Sequence, residues 1–260
     1  MQCKNILFGA SNIISCIEFI NFMKPRYFLL SLDFVKAYDR VDVRFVVLVL
    51  LKMNFGYTFA NWILMLHKGA TTTFILGVLT SEILVSFSIC QGDPLAMLLY
   101  IIYVEPLLLL LERSIFGLHI RDGLYQKIEA YCDDIQIMSN DEDDLVGVDR
   151  VIAQFEMASG ALLSRTKKCK ILGLGSWKGR EIWPLSYIKS VDEIKIFGEF
   201  MLGSFNAIMK RNWDVRFDEF RSAVFAWDGR MITSLDQRVM VLKTFALSRI
   251  WYLAVLLPIV

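Results

Sequence analysis

Histidine and cysteine are scarce in this chain. There are two histidines, His67 and His119, and five cysteines, Cys3, Cys16, Cys90, Cys132 and Cys169, widely spaced and without a Cys-x-x-Cys pair. So few soft ligands at such spacing argue against structural zinc, and an odd set of thiols argues against a disulfide framework. Net charge is almost absent as well. Lys and Arg number 28 against 27 Asp and Glu, a formal +1, so a nucleic-acid or membrane-surface partner would have to be met by a local basic patch. The opening "MQCKNILFGASNIISC" lacks a positively charged region followed by a continuous apolar core. The chain is therefore expected to be intracellular, in cytoplasm or nucleus, and not secreted. No internal repeat and no low-complexity segment is found.

What the chain has in quantity is apolar surface. Hydrophobic residues make up 55% of its 260 residues and charged residues 21%, with a mean hydropathy of +0.48, which excludes disorder by composition and permits one large domain or two unequal ones. The strongest candidate for a membrane span, "LAMLLYIIYVEPLLLLL", runs for seventeen residues from Leu95 to Leu111 and is interrupted by Glu105 and Pro106. A span needs about 20 apolar residues, and a charge in lipid is costly. A buried helix fits better, with no membrane partner; an integral membrane protein stands as the alternative reading.

Periodicity and turn chemistry divide the chain. "YFLLSLDFV" reads as a buried strand ending near Asp33, followed by a turn into a helix with Asp39 or Asp42 as cap and Gly56 closing the apolar stretch. "TTTFILGVLTSEILVSFSIC" reads as two strands around a turn near Gly77 or Ser81 and Glu82. "QGDPL" opens the long apolar helix, with Asp93 as N-cap. A hairpin is expected over Lys127–Ser139, alternating like a half-buried strand around "CDD". A helix follows, capped by Asn140 or Asp141, with an acidic first turn and Gly160 as its stop. From Arg211 the chain becomes helical, with Trp213, Trp227, Trp251 and spaced basic residues; a boundary is expected near 204–210.

Three aspartates stand out: Asp33 at a strand end, and Asp133 with Asp134 in the hairpin. If their strands are neighbours, the carboxylates converge, and like charges raise one another's pKa unless a cation lies between them. A hard divalent ion suits an all-oxygen ligand set, and two such ions form the clamp used for in-line phosphoryl transfer. An Asp-Asp turn without any metal is the plainer reading of the pair by itself.

Order and spacing decide between them. "SLDFVKAYDRV", "CQGDPLAMLLY", "AYCDDIQI", "SGALLSRTKKCKILG" and "IKIFGEF" resemble, in sequence, the successive palm motifs of reverse transcriptases of non-LTR, LINE-type retrotransposons. "WDGRMITSLDQRVMVLKTFALSRIWYLAVLLP" is similar to the helical segment that follows in those elements. The resemblance implies an α+β right-hand polymerase palm, an antiparallel sheet backed by helices, over residues 1–205 with a remnant of the fingers, and a partial helical thumb over 206–260. It implies an RNA-directed DNA polymerase that transfers dNTPs onto a DNA primer on an RNA template, with two Mg²⁺ ions, or Mn²⁺ in their place. Asp33, Asp133 and Asp134 would hold the metals. Tyr38 would exclude a ribose 2′-hydroxyl, Gln91 and Gly92 would contact nucleotide and template, and Lys167 would protonate the leaving pyrophosphate. Arg238 and Arg249, eleven residues apart, would share a helix face that tracks the nucleic-acid backbone.

The chain departs from the family pattern in places. Cys90 stands for an arginine, Ala96 and Met97 for Ser-Pro, Cys132 for an alanine and Ser164 for an asparagine. Only the end of a fingers region precedes the first motif, so a truncated, catalytically inactive remnant is the alternative function. "LGLGSWKG" misses the Gly-x-Gly-x-x-Gly spacing of a dinucleotide loop by one residue and is set aside as such.

Overall fold

The computed structural model describes residues 6–23, 26–69, 71–73, 81, 83–84, 89, 93–121, 123–166, 169–227 and 234–258. In chain order the elements are α1 (Ile6–Met23), β1 (Tyr27–Leu32), α2 (Val43–Lys52), α3 (Tyr57–His67), β2 (Thr71–Thr72), β3 (Ile83–Leu84), α4 (Ala96–Ser114), β4 (Leu118–Arg121), β5 (Leu124–Gln126), β6 (Ile128–Tyr131) and β7 (Asp134–Ser139). There follow α5 (Asp143–Ser159), β8 (Lys170–Leu174), β9 (Lys189–Ser190), β10 (Ile194–Ile196), β11 (Glu199–Met201), α6 (Phe205–Phe225), α7 (Leu235–Val241) and α8 (Ser248–Leu256). Two compact units emerge. One comprises Met1–Ser31, Lys170–Glu181 and Ser190–Val260, the other Leu32–Cys169 and Ile182–Lys189.

In the first unit β1 pairs antiparallel with β8 from Tyr27 opposite Leu174 to Ser31 opposite Lys170. The continuous apolar run of β1 follows from its burial, since Tyr27, Phe28, Leu29 and Leu30 are all fully covered. α1 packs on α6 and α8, and α6 on the β10–β11 hairpin. Buried Asn212 of α6 accepts from the Phe200 amide (2.7 Å) and donates to the Phe200 carbonyl (2.8 Å), so one side-chain amide does for the hairpin edge what another strand would do.

The second unit is built around α4. Its Leu99, Tyr103, Leu107 and Leu111 are buried, it packs on α2, α5 and β6, and the helix runs through Pro106. Asp42 caps α2 through the Arg44 amide (2.8 Å). Asp93 accepts from the Leu95 amide (2.8 Å), one residue before α4 begins. Gly56 does not close a long helix: α2 ends at Lys52, and Gly56, with φ +81°, precedes a further helix, α3, which the sequence reading merged into its neighbour. The β2–β3 pair joins Thr71 to Leu84 as a hairpin whose expected turn at Gly77 and Glu82 lies outside the described residues.

The acidic stretch before α5 does more than cap it. Asp141 accepts from the Asp143 amide (3.1 Å) and Gly160 ends the helix in the left-handed region, as expected, but Asp144 is buried. Its carboxylate accepts from the amides of Phe116 and Gly117, both at 2.9 Å, and from the Ser139 hydroxyl. The α4–β4 junction and the end of β7 are thereby tied to the first turn of α5. Gly117 has no substitute there: φ is +81°, and a Cβ would lie 2.4 Å from Lys127 Cγ and 3.0 Å from the Gln126 carbonyl.

By length and composition two helical stretches, Ile6–Met23 and Leu235–Leu256, would suffice to cross a membrane; the first is partly buried. The α4 run that the sequence singled out is a core helix.

Candidate active site

Asp33 leaves β1 and enters a backbone clamp. Its carbonyl accepts from the Ser164 amide (2.8 Å), Phe34 bridges Leu163, and the Val35 amide donates to the Leu162 carbonyl (2.8 Å). The backbone that carries the Asp33 carboxylate is thus held against residues 162–164 by main-chain bonds. Behind it, the Cys169 thiol donates to the Ser164 carbonyl (3.5 Å), and burial pushes that thiol's pKa up.

The paired aspartates lie on the β6–β7 hairpin. Tyr131 faces Asp134 across a two-residue turn of Cys132 and Asp133, so Asp133 at the tip and Asp134, which opens β7, both reach solvent, Asp134 while partly desolvated. Cys132 has φ +53°. A tight hairpin turn wants positive φ and favours Gly or Asn for it. Carried by cysteine, the conformation costs roughly 1–3 kcal/mol, which the surrounding structure must offset. Beyond the turn, β7 does not alternate as expected. Ile135, Gln136, Ile137, Met138 and Ser139 are all buried, because both faces of the strand are covered.

Electrostatics brings the trio together. Burial raises the Asp134 pKa, and the charges of Asp133 and of Asp33 raise it further. Carboxylates gathered this way, without histidine or thiolate among them, form the donor chemistry of a hard divalent cation. Among the described residues no three Asp, Glu, His or Cys side chains close on one point as a self-sufficient metal cage.

Tyr38 stands beside the hairpin. Its ring stacks on Tyr100 of α4 at 4.5 Å between centroids, and its hydroxyl lies near the Cys132 side chain. Burial, with Cys132 and Asp133 nearby, pushes the Tyr38 pKa up to about 12. Tyr100, almost fully covered, is pushed up still further, first by burial and then by Asp133. Tyr103 continues the aromatic column, 5.7 Å from Tyr100 and 5.3 Å from Phe155. Tyr100, Tyr103 and the Cys132 contact were not singled out in the sequence, although Tyr100 and Tyr103 at i and i+3 on an apolar helix carry that signal.

The other expected site residues are spread more widely. Gln91, Gly92 and Lys167 lie outside the described residues, as does Cys90. Arg238 and Arg249 are exposed on α7 and α8, with a π-helical segment, Leu242–Leu247, between them. Its i→i+5 bonding alters the turn, so the three-turn α-helical arithmetic does not apply to this pair.

Antiparallel strands backed by helices define an α+β protein that carries two adjacent carboxylates, Asp133 and Asp134, on a hairpin. The chain belongs to the reverse transcriptase (RNA-dependent DNA polymerase) family, whose profile matches residues 4–198. It is 27% identical over 230 residues to the transposon TX1 uncharacterized 149 kDa protein of Xenopus laevis; the match takes in 86% of this chain and 17% of that protein's length. Among solved structures it is similar to telomerase from Candida albicans in complex with the TWJ fragment of telomeric RNA. That likeness has a TM-score of 0.48 and 10% identity, over 94% of this chain and 43% of that one.

Proposed function

We propose that the chain is the polymerase domain of a non-LTR, LINE-type retrotransposon, adding dNTPs to a DNA primer on an RNA template inside the cell. The observation that carries the reading is the family match over residues 4–198, joined by the pairing of Asp133 and Asp134 on one hairpin and by the charges of Asp133 and Asp33 acting on Asp134. Similarity to a transposon protein supports the element type.

In this reading Asp33, Asp133 and Asp134 would hold two Mg²⁺ ions, whose chemistry would be to acidify a primer 3′-hydroxyl and to offset the charge of the triphosphate. Tyr38, braced by Tyr100 and Cys132, excludes a ribose 2′-hydroxyl at the sugar. Lys167 protonates the leaving pyrophosphate, and Gln91 and Gly92 contact nucleotide and template. Arg238 and Arg249 contact backbone phosphates. Residues 1–205 serve as palm with part of the fingers, and 206–260 as part of a thumb.

The test is Mg²⁺-dependent dNTP addition to a DNA primer annealed to RNA by the purified chain, beside Asp133→Ala and Asp134→Ala. Addition that both substitutions abolish supports the reading. No addition by a folded wild-type chain would assign it to a remnant instead.

A further inference from the structure

In the first unit α7, the π-helical segment Leu242–Leu247 and α8 run on as one helical stretch, Leu235–Leu256. One side of it is occupied. Ala246, Leu253 and, just beyond, Leu257 are buried, and α6 packs on the π-helical segment and on α8. The opposite side is apolar as well, yet it faces solvent: Leu235, Val239, Trp251 and Val255 are 75%, 41%, 60% and 70% exposed.

These four residues belong to one series. Leu235, Val239, Lys243, Leu247, Trp251 and Val255 follow one another at intervals of four. On a uniform α-helix of about 3.6 residues per turn each interval overshoots a turn by about 40°, so five steps would wind about 200° around the axis. The π-helical segment prevents that. Its i→i+5 bonding puts more residues into each turn, so an interval of four falls short there and the drift reverses across Leu242–Leu247. Trp251 and Val255 are thereby brought back over Leu235 and Val239, and the series forms one stripe, with Lys243 exposed and Leu247 half-buried in its middle.

The extent of the stripe decides what covers it. Large side chains present on the order of 200 Å² each, so the four exposed members leave about 500 Å² open, and Met240 and Leu242 beside them, 66% and 41% exposed, raise this to about 700 Å². The largest apolar patch on a typical monomer is about 300–600 Å². Two such faces together offer about 1,400 Å², within the roughly 1,200–2,000 Å² of a stable protein–protein interface. A lipid-spanning role is opposed by charge, since Asp236, Arg238, Lys243 and Arg249 would all enter the bilayer.

A second copy of the chain has the matching form. In a two-fold contact residue i meets j and j meets i. Antiparallel stripes centred between Lys243 and Leu247 set Leu235 against Val255, Val239 against Trp251 and Lys243 against Leu247 of the other copy. Apolar then meets apolar towards both ends, and the Lys243 stem covers Leu247 while its amine turns outward. The two lysines, one from each copy, lie near the axis and repel, which keeps the association weak.

We infer that the stripe from Leu235 to Val255 is a self-association face, through which two copies of this chain form an antiparallel, two-fold dimer. The inference is independent of the polymerase reading. Arg238 and Arg249 are not members of the stripe, so the dimer does not consume them.

Sedimentation equilibrium of the full chain across the micromolar range tests the face. Wild type should pass from monomer to dimer mass, and no further, as concentration rises. Trp251→Ala should weaken association by about thirtyfold or more, as loss of a central aromatic anchor does. Trp62→Ala, which removes a tryptophan of equal exposure on α3, should leave it unchanged. Lys243→Leu should tighten it by about tenfold by removing the like-charge pair, and added NaCl should strengthen the wild-type dimer by screening the same pair. A chain that stays monomeric throughout the range, or that assembles beyond the dimer, would overturn the inference. So would equal losses in Trp251→Ala and Trp62→Ala, which would mark unspecific adhesion, or association that weakens with salt. Flotation of a monomeric chain with phosphatidylcholine–phosphatidylserine vesicles would give the stripe to lipid and overturn the dimer too. Thermal transitions of the variants identify any loss through unfolding, and Lys243→Leu reads the face by gain. Primer extension by a monomeric chain refutes this face alone; a dimer that does not extend primers refutes only the polymerase reading.

Discussion

Replacing Asp144 by alanine should be among the most damaging single changes in the second unit. The carboxylate is 3% exposed and accepts from the Phe116 and Gly117 amides, each at 2.9 Å, and from Ser139. Hydrogen bonds to a charged group contribute about 1.5–3 kcal/mol each, and a buried donor left without an acceptor costs about 1–3 kcal/mol. Ser139 retains a bond with the Asp141 amide (3.0 Å), so the loss falls mainly on two main-chain amides. Relief from burying an ionised group offsets part of it, leaving about 3 kcal/mol, a large share of the roughly 5–15 kcal/mol typical of a domain. Asp143 in the same helical turn is exposed, and Asp143→Ala should cost no more than about 1 kcal/mol through the helix dipole. Urea unfolding followed by circular dichroism would show a lowered midpoint at unchanged slope for Asp144→Ala. Amide exchange at Phe116 and Gly117 would accelerate. If Asp144→Ala were no costlier than Asp143→Ala, the clamp would not exist.

Asp134 yields a pH prediction. Its folded pKa is raised above the ordinary aspartate range, so its favourable contribution is fully present below that range and is lost as pH rises through the folded pKa. Asp134→Asn should therefore raise the melting temperature at pH 7, with the gain vanishing towards pH 3, and Mg²⁺ should stabilise wild type more than the variant; a gain independent of pH would refute this. Gly117→Ala should destabilise by roughly 1–3 kcal/mol or more, from left-handed strain together with the contact on the Gln126 carbonyl, read from the same urea curves. Tyr38→Ala should erode discrimination between dNTP and rNTP by about tenfold or more in kcat/KM, measured in the primer-extension assay. An unchanged ratio would remove Tyr38 from nucleotide selection.

Local chemistry made much of this fold legible. An apolar run ending near Asp33 marked β1; Asp42 and Gly160 marked helix ends; Asp133 and Asp134 marked a hairpin. The failures share a cause, since each depended on what a segment packs against. Gly56 reads the same in sequence whether it ends one helix or opens the next. β7 looked half-buried because Gln136 and Ser139 are polar, and nothing local says that both faces are covered. Asp144 passed for a solvated dipole partner because its donors, Phe116 and Gly117, lie more than twenty residues away. The Tyr38–Tyr100 stack is likewise a meeting of distant segments.

That distinction bears on how the carboxylate centre is held. The hairpin concentrates costs: a left-handed Cys132, an Asp134 whose charge is penalised by burial and by two neighbours, and a turn with no glycine. Such a turn would relax unless its strand were fixed at both ends. At the near end Tyr38, stacked on Tyr100, lies near Cys132, and at the far end Asp144 binds Ser139, the last residue of the strand that Asp134 begins. Between them five consecutive buried residues resist any slip of register, because a shift by one would reverse every side chain. The stability of the clamp and the placement of the aspartates are thus coupled. Asp144→Asn, which keeps the shape but loses one acceptor, should lower Mg²⁺-dependent stabilisation of the chain more than its own cost in stability requires, although its own bonds run to Phe116, Gly117 and Ser139.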